Sequence, residues 1–277
     1  MAKLGILIEP GAARVMYAYG VLKALPWLLP KILVAGGNSS GAIAATAVAM
    51  NDVDVIYRIF HAIAKERDFL SFTRVFKGQR PGDMSRLEEI GRRVINAERL
   101  KNSNKVAFAG YYDLQDKRII YERIRANNAF ALIKRTCANP FLSAPIDGRY
   151  VDGGVYDYLP IEQFDGRNPA WKAEKVVVIG YNTLEVRLPV PFRTWTRRHL
   201  EQFPSLRATT YIKERYRAAM TEIREHHDRY FYIGPTYWPV LPFNPFADSP
   251  RVLEKLTERG DHNAQKLELE LRRWLKE

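Results

Sequence analysis

The chain has 277 residues, 47% of them hydrophobic, and carries 43 Lys and Arg against 31 Asp and Glu, a net charge of +12. That length suits one large domain with a proper core, and the apolar content excludes a mostly disordered chain. The single cysteine, Cys137, excludes a disulfide framework and a multi-cysteine metal centre, while the positive balance suits either an anionic partner or plain solubility.

Lys3–Glu9 reads as a buried strand that ends at the turn signal Pro10–Gly11. Ala12–Leu25 has helical character and stops before Pro26, and Ile32–Gly36 is a second short apolar run. Ser40–Met50 is small and apolar on nearly every side, which suits a helix buried within a fold. Asp52–Lys65 repeats apolar residues at helical spacing, and Ser85 with Glu88 predicts a capping box for a helix through Ile95. Lys105–Ala109 and Lys117–Tyr121 read as strands around a turn-rich Tyr111–Asp116, and Glu122–Cys137 reads as a helix. Lys175–Tyr181 is the most strand-like run. Val190–Tyr230 reads as helical and polar, Tyr230–Phe246 as aromatic and proline-rich, and Arg251–Lys276 as one or two helices broken near Gly260. Strands interspersed with helices argue an α/β layered domain around a largely parallel sheet. No linker divides the chain, so the expectation is one domain over 1–277, with a core to about 185 and a helical, aromatic C-terminal part from about 186.

The sharpest motif is Gly37-Asn38-Ser39-Ser40-Gly41, which fits G-x-S-x-G between an apolar strand and a buried helix. A nucleophile elbow needs that setting, because the tight turn pushes the serine hydroxyl out and the helix aims its amides at developing negative charge. The same pentapeptide also serves as a plain Gly/Ser turn with Ser40 as a helix cap. A serine needs a base, and the five histidines, His61, His199, His226, His227 and His262, lack site-like surroundings. Asp152, in Asp152-Gly153-Gly154, ends a short strand at a Gly-Gly turn and is the better candidate, although a turn aspartate bonding its own backbone is common. Glu9-Pro10-Gly11-Ala12-Ala13-Arg14 is a loop of small residues whose backbone N–H groups could bind an oxyanion, with Arg14 holding the loop or meeting an anionic headgroup.

Taken together, these elements resemble the patatin-like phospholipases, in which a glycine-rich oxyanion loop, a G-x-S-x-G elbow and a D-G-G or D-G-A aspartate follow one another. Thr136–Phe141 and Gly148–Gly154 through Leu159-Pro160 resemble the aspartate region of that family, and Tyr232–Pro235 with Arg251–Ala264 resemble the C-terminal part of bacterial members. The resemblance implies a three-layer α/β/α fold, Ser39 as nucleophile, Asp152 as its base in a Ser–Asp dyad, and Gly11 and Ala12 at oxyanion-loop positions. It implies no metal and no cofactor. This chain departs from the family where Pro10 and Ala12 replace two glycines and Val15 another. Pro10 has no N–H to donate, and loss of one oxyanion donor costs about 10²–10³ in rate.

The expected activity is serine-dependent hydrolysis of lipid esters, of phospholipase A or lysophospholipase type, with Gly11, Ala12 and Ser40 donating to the oxyanion. The alternative is a lipid-binding protein of the same fold with little or no hydrolysis. Arg58–Lys105 holds 12 basic and 6 acidic residues. Within it, Phe69–Gly82 interleaves Phe69, Leu70, Phe72 and Phe76 with Arg74, Lys77 and Arg80, a mixture that suits an anionic lipid surface or a solvated loop. No motif supports nucleic-acid binding. The chain has no apolar run of membrane-spanning length and no basic-then-apolar leader, so a cytoplasmic location is expected, with peripheral membrane contact open.

Overall fold

The computed structural model describes residues 3–66, 81–183, 206, 209, 211–235 and 249–276. Seven strands among them form one sheet: β1 (Leu4–Ile8), β2 (Ile32–Gly37), β3 (Val106–Asp113), β4 (Arg118–Ile124), β5 (Tyr150–Asp152), β6 (Lys175–Ile179) and β7 (Tyr230–Ile233). Their order is β4-β3-β2-β1-β6-β7, with β5 paired to β3. The β3–β2, β2–β1, β1–β6 and β6–β7 pairings are parallel, and β4 and β5 run antiparallel to β3. β1 sits at the centre, and its sequence, Leu-Gly-Ile-Leu-Ile, is buried throughout, as a parallel strand covered on both faces requires.

The helices are α1 (Val15–Ala24), α2 (Ser40–Ala49), α3 (Asp54–Lys65), α4 (Met84–Val94), α5 (Ala97–Lys101), α6 (Ala129–Thr136), α7 (Ile212–Glu225) and α8 (Pro250–Trp274). Side chains alternate along the strands. Ile6, Ile8, Ala35 and Val177 pack with α1, α2, α3 and α8 on one face. Leu7, Val34, Phe108 and Val178 pack on the other with Phe164, Trp171 and α7. The result is a three-layer α/β/α arrangement around a mostly parallel sheet. No helix of the described residues is long and apolar enough to cross a membrane.

Several local expectations change. The cap of α4 is Asp83, whose carboxylate accepts from the Ser85 N–H at 2.9 Å, so the helix is capped two residues earlier than the expected box. β3 continues through Tyr111–Asp113, where a turn was expected, because Asp113 still pairs with Arg118 and Tyr150. β4 takes Glu122–Ile124 from the expected helix, and α6 begins only at Ala129. The C-terminal part also supplies a strand, since Tyr230–Ile233 pairs with β6.

The helix α8 runs unbroken through Gly260. A Cβ on Gly260 would lie 2.0 Å from the Tyr17 carbonyl oxygen, and one on Gly20 would lie 2.0 Å from the Thr257 carbonyl oxygen. The glycine read as a breaker is a contact point where α8 lies on α1. Asn263 reinforces that contact by donating to the Tyr17 hydroxyl at 2.9 Å.

Candidate active site

Two strands share one edge of β3. β2 pairs with Val106–Phe108, and β5 pairs from the opposite direction with Tyr111–Asp113. The chain leaving β2 carries Ser39, and β5 ends at Asp152 opposite Tyr111. Both therefore arrive at Ala109–Gly110, which pairs with β4 on the far edge of β3 and with neither β2 nor β5 on this one. The Ser39 hydroxyl lies within hydrogen-bonding reach of the Asp152 carboxylate.

Ser39 adopts φ 54° and ψ −129°, a left-handed conformation that costs an L-residue energy and marks a tightly determined turn. The flanking glycines are there for closeness. A Cβ on Gly41 would lie 2.3 Å from the Ile8 carbonyl oxygen, and one on Gly37 would lie 2.6 Å from the Gly41 carbonyl carbon. Any side chain at either position would push α2 off the end of β1. Asn38 is fully buried and pins the turn, accepting from the Gly110 N–H at 2.7 Å and donating to the Asp157 carbonyl at 2.7 Å. Ser40 opens α2, so its N–H has no acceptor within the helix.

Asp152 is buried, and its Oδ1 accepts from the Gly154 N–H at 2.7 Å. Burial pushes its pKa up to about 7, against the opposing pull of the Ser39 and Gly154 hydrogen bonds. A carboxyl poised there can take a proton from a serine and return it near neutral pH.

The loop after β1 is held at its ends. Glu9, fully buried, accepts from Asn182 Nδ2 at 2.8 Å and from the Tyr181 N–H. Burial lifts its pKa to about 7, opposed by the nearby Arg14 charge. Arg14 donates to the Tyr158 hydroxyl at 2.6 Å, and its guanidinium lies 5.4 Å from the Tyr181 ring centroid. These contacts fix Arg14 to Tyr158 and Tyr181. Within the loop, Ala12 has φ 50°. The Gly11 N–H donates to the Ser40 hydroxyl at 3.0 Å, so this amide is engaged inside the protein. The Ser40 side chain thus ties the loop to α2, a role beyond the backbone donor expected of it.

None of the described histidines is among the groups that act on Asp152. His226, His227 and His262 are exposed, and His61 stacks on Tyr57 with ring centroids 3.9 Å apart. His199 lies outside the described residues, as do Arg74, Lys77 and Arg80 of the basic–aromatic segment.

Sequence reasoning did not single out Thr136, Cys137 or Glu9 as parts of the site. Thr136 is buried and accepts from the Ser39 N–H at 2.9 Å. Cys137 lies against Ser39 and Asp152, and burial holds its thiol well above the usual range, hence protonated. Both belong to the Thr136–Phe141 block that carried the resemblance, and that was the available signal. Glu9 was legible as the polar end of an apolar strand and the first residue of the Glu9–Arg14 loop, with no role of its own.

The chain belongs to the patatin-like phospholipase family, which matches residues 7–165. Among solved structures it is similar to VipD from Legionella pneumophila, with 12% sequence identity and a TM-score of 0.45, over 96% of this chain and 66% of that one. The chain thus spans just under two thirds of the VipD chain. No curated protein sequence matches it.

Proposed function

We propose that this chain is a serine-dependent lipid acyl hydrolase of phospholipase A or lysophospholipase type. The observation that carries this reading is the strained Ser39 at the head of α2, within hydrogen-bonding reach of a buried Asp152 whose pKa is about 7. Asp152 takes the Ser39 proton as Oγ bonds to the ester carbonyl carbon. The carbonyl electron pair moves onto oxygen, facing the α2 N-terminus and the Ser40 and Ala12 amides. Collapse breaks the bond to the alcohol, which leaves with the proton held by Asp152. Water then attacks the acyl-enzyme, Asp152 takes its proton, and Ser39 regains a proton as the fatty acid departs. Docking of the substrate-bearing membrane falls to the Arg74, Lys77 and Arg80 segment on its composition.

The engaged Gly11 amide and the strained Ala12 favour a second reading, a lipid-binding protein with weak hydrolysis. One experiment separates the two. Purified protein is assayed on a phospholipid and lysophospholipid panel and labelled with a fluorophosphonate probe. Fatty-acid release and labelling that both vanish in Ser39→Ala, with release lost also in Asp152→Asn, support the hydrolase. Tight lipid binding without either signal supports the second reading.

A further inference from the structure

The Thr136 hydroxyl bridges two backbone groups. It donates to the Gly110 carbonyl at 2.6 Å and accepts from the Ser39 N–H at 2.9 Å. Thr136 is the last residue of α6 and is fully buried. Its hydroxyl hydrogen and one lone pair are both in use, and they join β3 to the nucleophile's own amide. Two residues on, the Ala138 carbonyl accepts the Asp152 N–H at 2.9 Å. The exit of α6 therefore grips the serine through a side chain and the aspartate through the main chain.

We propose that Thr136 is a positioning residue that sets the Ser39 hydroxyl against Asp152. The inference rests on the reading of Ser39 as nucleophile. Ser39 stands at φ 54°, where its backbone is costly, and its N–H is the group that Thr136 secures. Without that bond the turn gains freedom to relax, and Oγ drifts from the aspartate. A misplacement of about 1 Å between reacting groups costs about a hundredfold in rate.

The test compares Thr136→Val, which keeps the shape and removes the hydroxyl, with Thr136→Ser, which keeps the hydroxyl and removes a methyl. Thr136→Val is expected to lower kcat per folded molecule by about a hundredfold with KM little changed, and Thr136→Ser to stay within about threefold of the parent. Amide exchange at Ser39, read by NMR, should be protected in the parent and in Thr136→Ser, and fast in Thr136→Val. A Thr136→Val protein with parental kcat overturns the proposal, and so does a drop in Thr136→Ser as large as that in Thr136→Val. If Thr136→Val does not fold, the parent and Thr136→Ser decide, since an unprotected Ser39 amide in either also overturns it. A parent protein that hydrolyses no ester sinks the hydrolase reading instead. The Ser39 amide exchange then still reports whether Thr136 holds the turn.

Discussion

Glu9 and Arg14 close the two ends of the loop that follows β1, with Glu9 fixed to Tyr181 and Asn182 and Arg14 fixed to Tyr158. Their opposite charges also act on one another inside the protein. A loop built from glycines relies on backbone freedom to reach its shape. This one contains Pro10 and Ala12 and is instead held from outside by a buried acid and a guanidinium. Breaking such a buried arrangement by removing one partner is costly, because the remaining group is left uncompensated.

Strain remains at Ala12, and it predicts a gain. At φ 50° an alanine lies in the left-handed region, where its Cβ crowds the following carbonyl by about 1–2 kcal/mol. Glycine escapes that crowding but adds freedom to the unfolded chain, worth about 0.4–1 kcal/mol. Ala12→Gly should therefore stabilise the protein by a net of roughly 0.5–1 kcal/mol in urea unfolding. Turnover of a short soluble ester should rise as the loop amides settle. A fall in both stability and turnover would show that alanine is well accommodated and that the departures from glycine do not weaken the loop.

Two helical glycines should respond to alanine with opposite signs. At Gly91 in α4 the added Cβ would meet nothing closer than Phe130 Cδ1 at 3.5 Å, an ordinary contact. Gly91→Ala should gain the helix-propensity difference of about 0.5–1 kcal/mol. At Gly260 the Cβ would meet the Tyr17 carbonyl at 2.0 Å, and backbone cannot swing aside as a side chain can. Gly260→Ala should cost about 3 kcal/mol by forcing α8 off α1, lowering Tm by roughly 6–12 °C. Thermal unfolding of both variants checks this. An unchanged Tm for Gly260→Ala would contradict the close crossing of these helices.

The strands β1, β2 and β6 were legible in the sequence because both faces are buried along β1 and along all but one residue near the start of each of β2 and β6, so their apolar runs are nearly continuous. The elbow was legible because close packing admits no side chain at Gly37 or Gly41, and such positions leave glycines in the sequence. Other features depend on pairing that no local pattern carries. Tyr230–Ile233 became a strand through β6, and Glu122–Ile124 through β3. Gly260 misled because a glycine weakens a helix locally, while its tertiary role is to let two helices touch. Thr136 was hidden for a similar reason. A threonine at the end of a helix has no special local signature, and its value lies in Ser39, brought to it by the sheet.

The buried acids predict how activity and stability vary with pH, and the two trends run in opposite directions. In the proposed mechanism Asp152 must be ionised to take the Ser39 proton, and burial raises its pKa to about 7. On a neutral soluble ester, kcat/KM should therefore rise with pH through a midpoint near that value. Glu9 also titrates at about 7, and protonating it removes the acceptor for Tyr181 and Asn182. Glu9→Gln isolates the base: if the midpoint persists in that variant, Asp152 sets it. Stability carries the opposite sign. A carboxyl whose pKa is higher folded than unfolded binds more protons in the native state, so its contribution is full below the unfolded value and is lost as pH rises through the folded one. Asp152→Asn removes the charge that must be buried above neutrality. It should raise Tm relative to the parent at about pH 8 and leave it nearly unchanged at about pH 5, where the native aspartic acid is already neutral. A flat kcat/KM profile across neutrality in the parent, or an equal Tm difference at both pH values, would mean that Asp152 is ionised far below 7 and is no base poised for this chemistry.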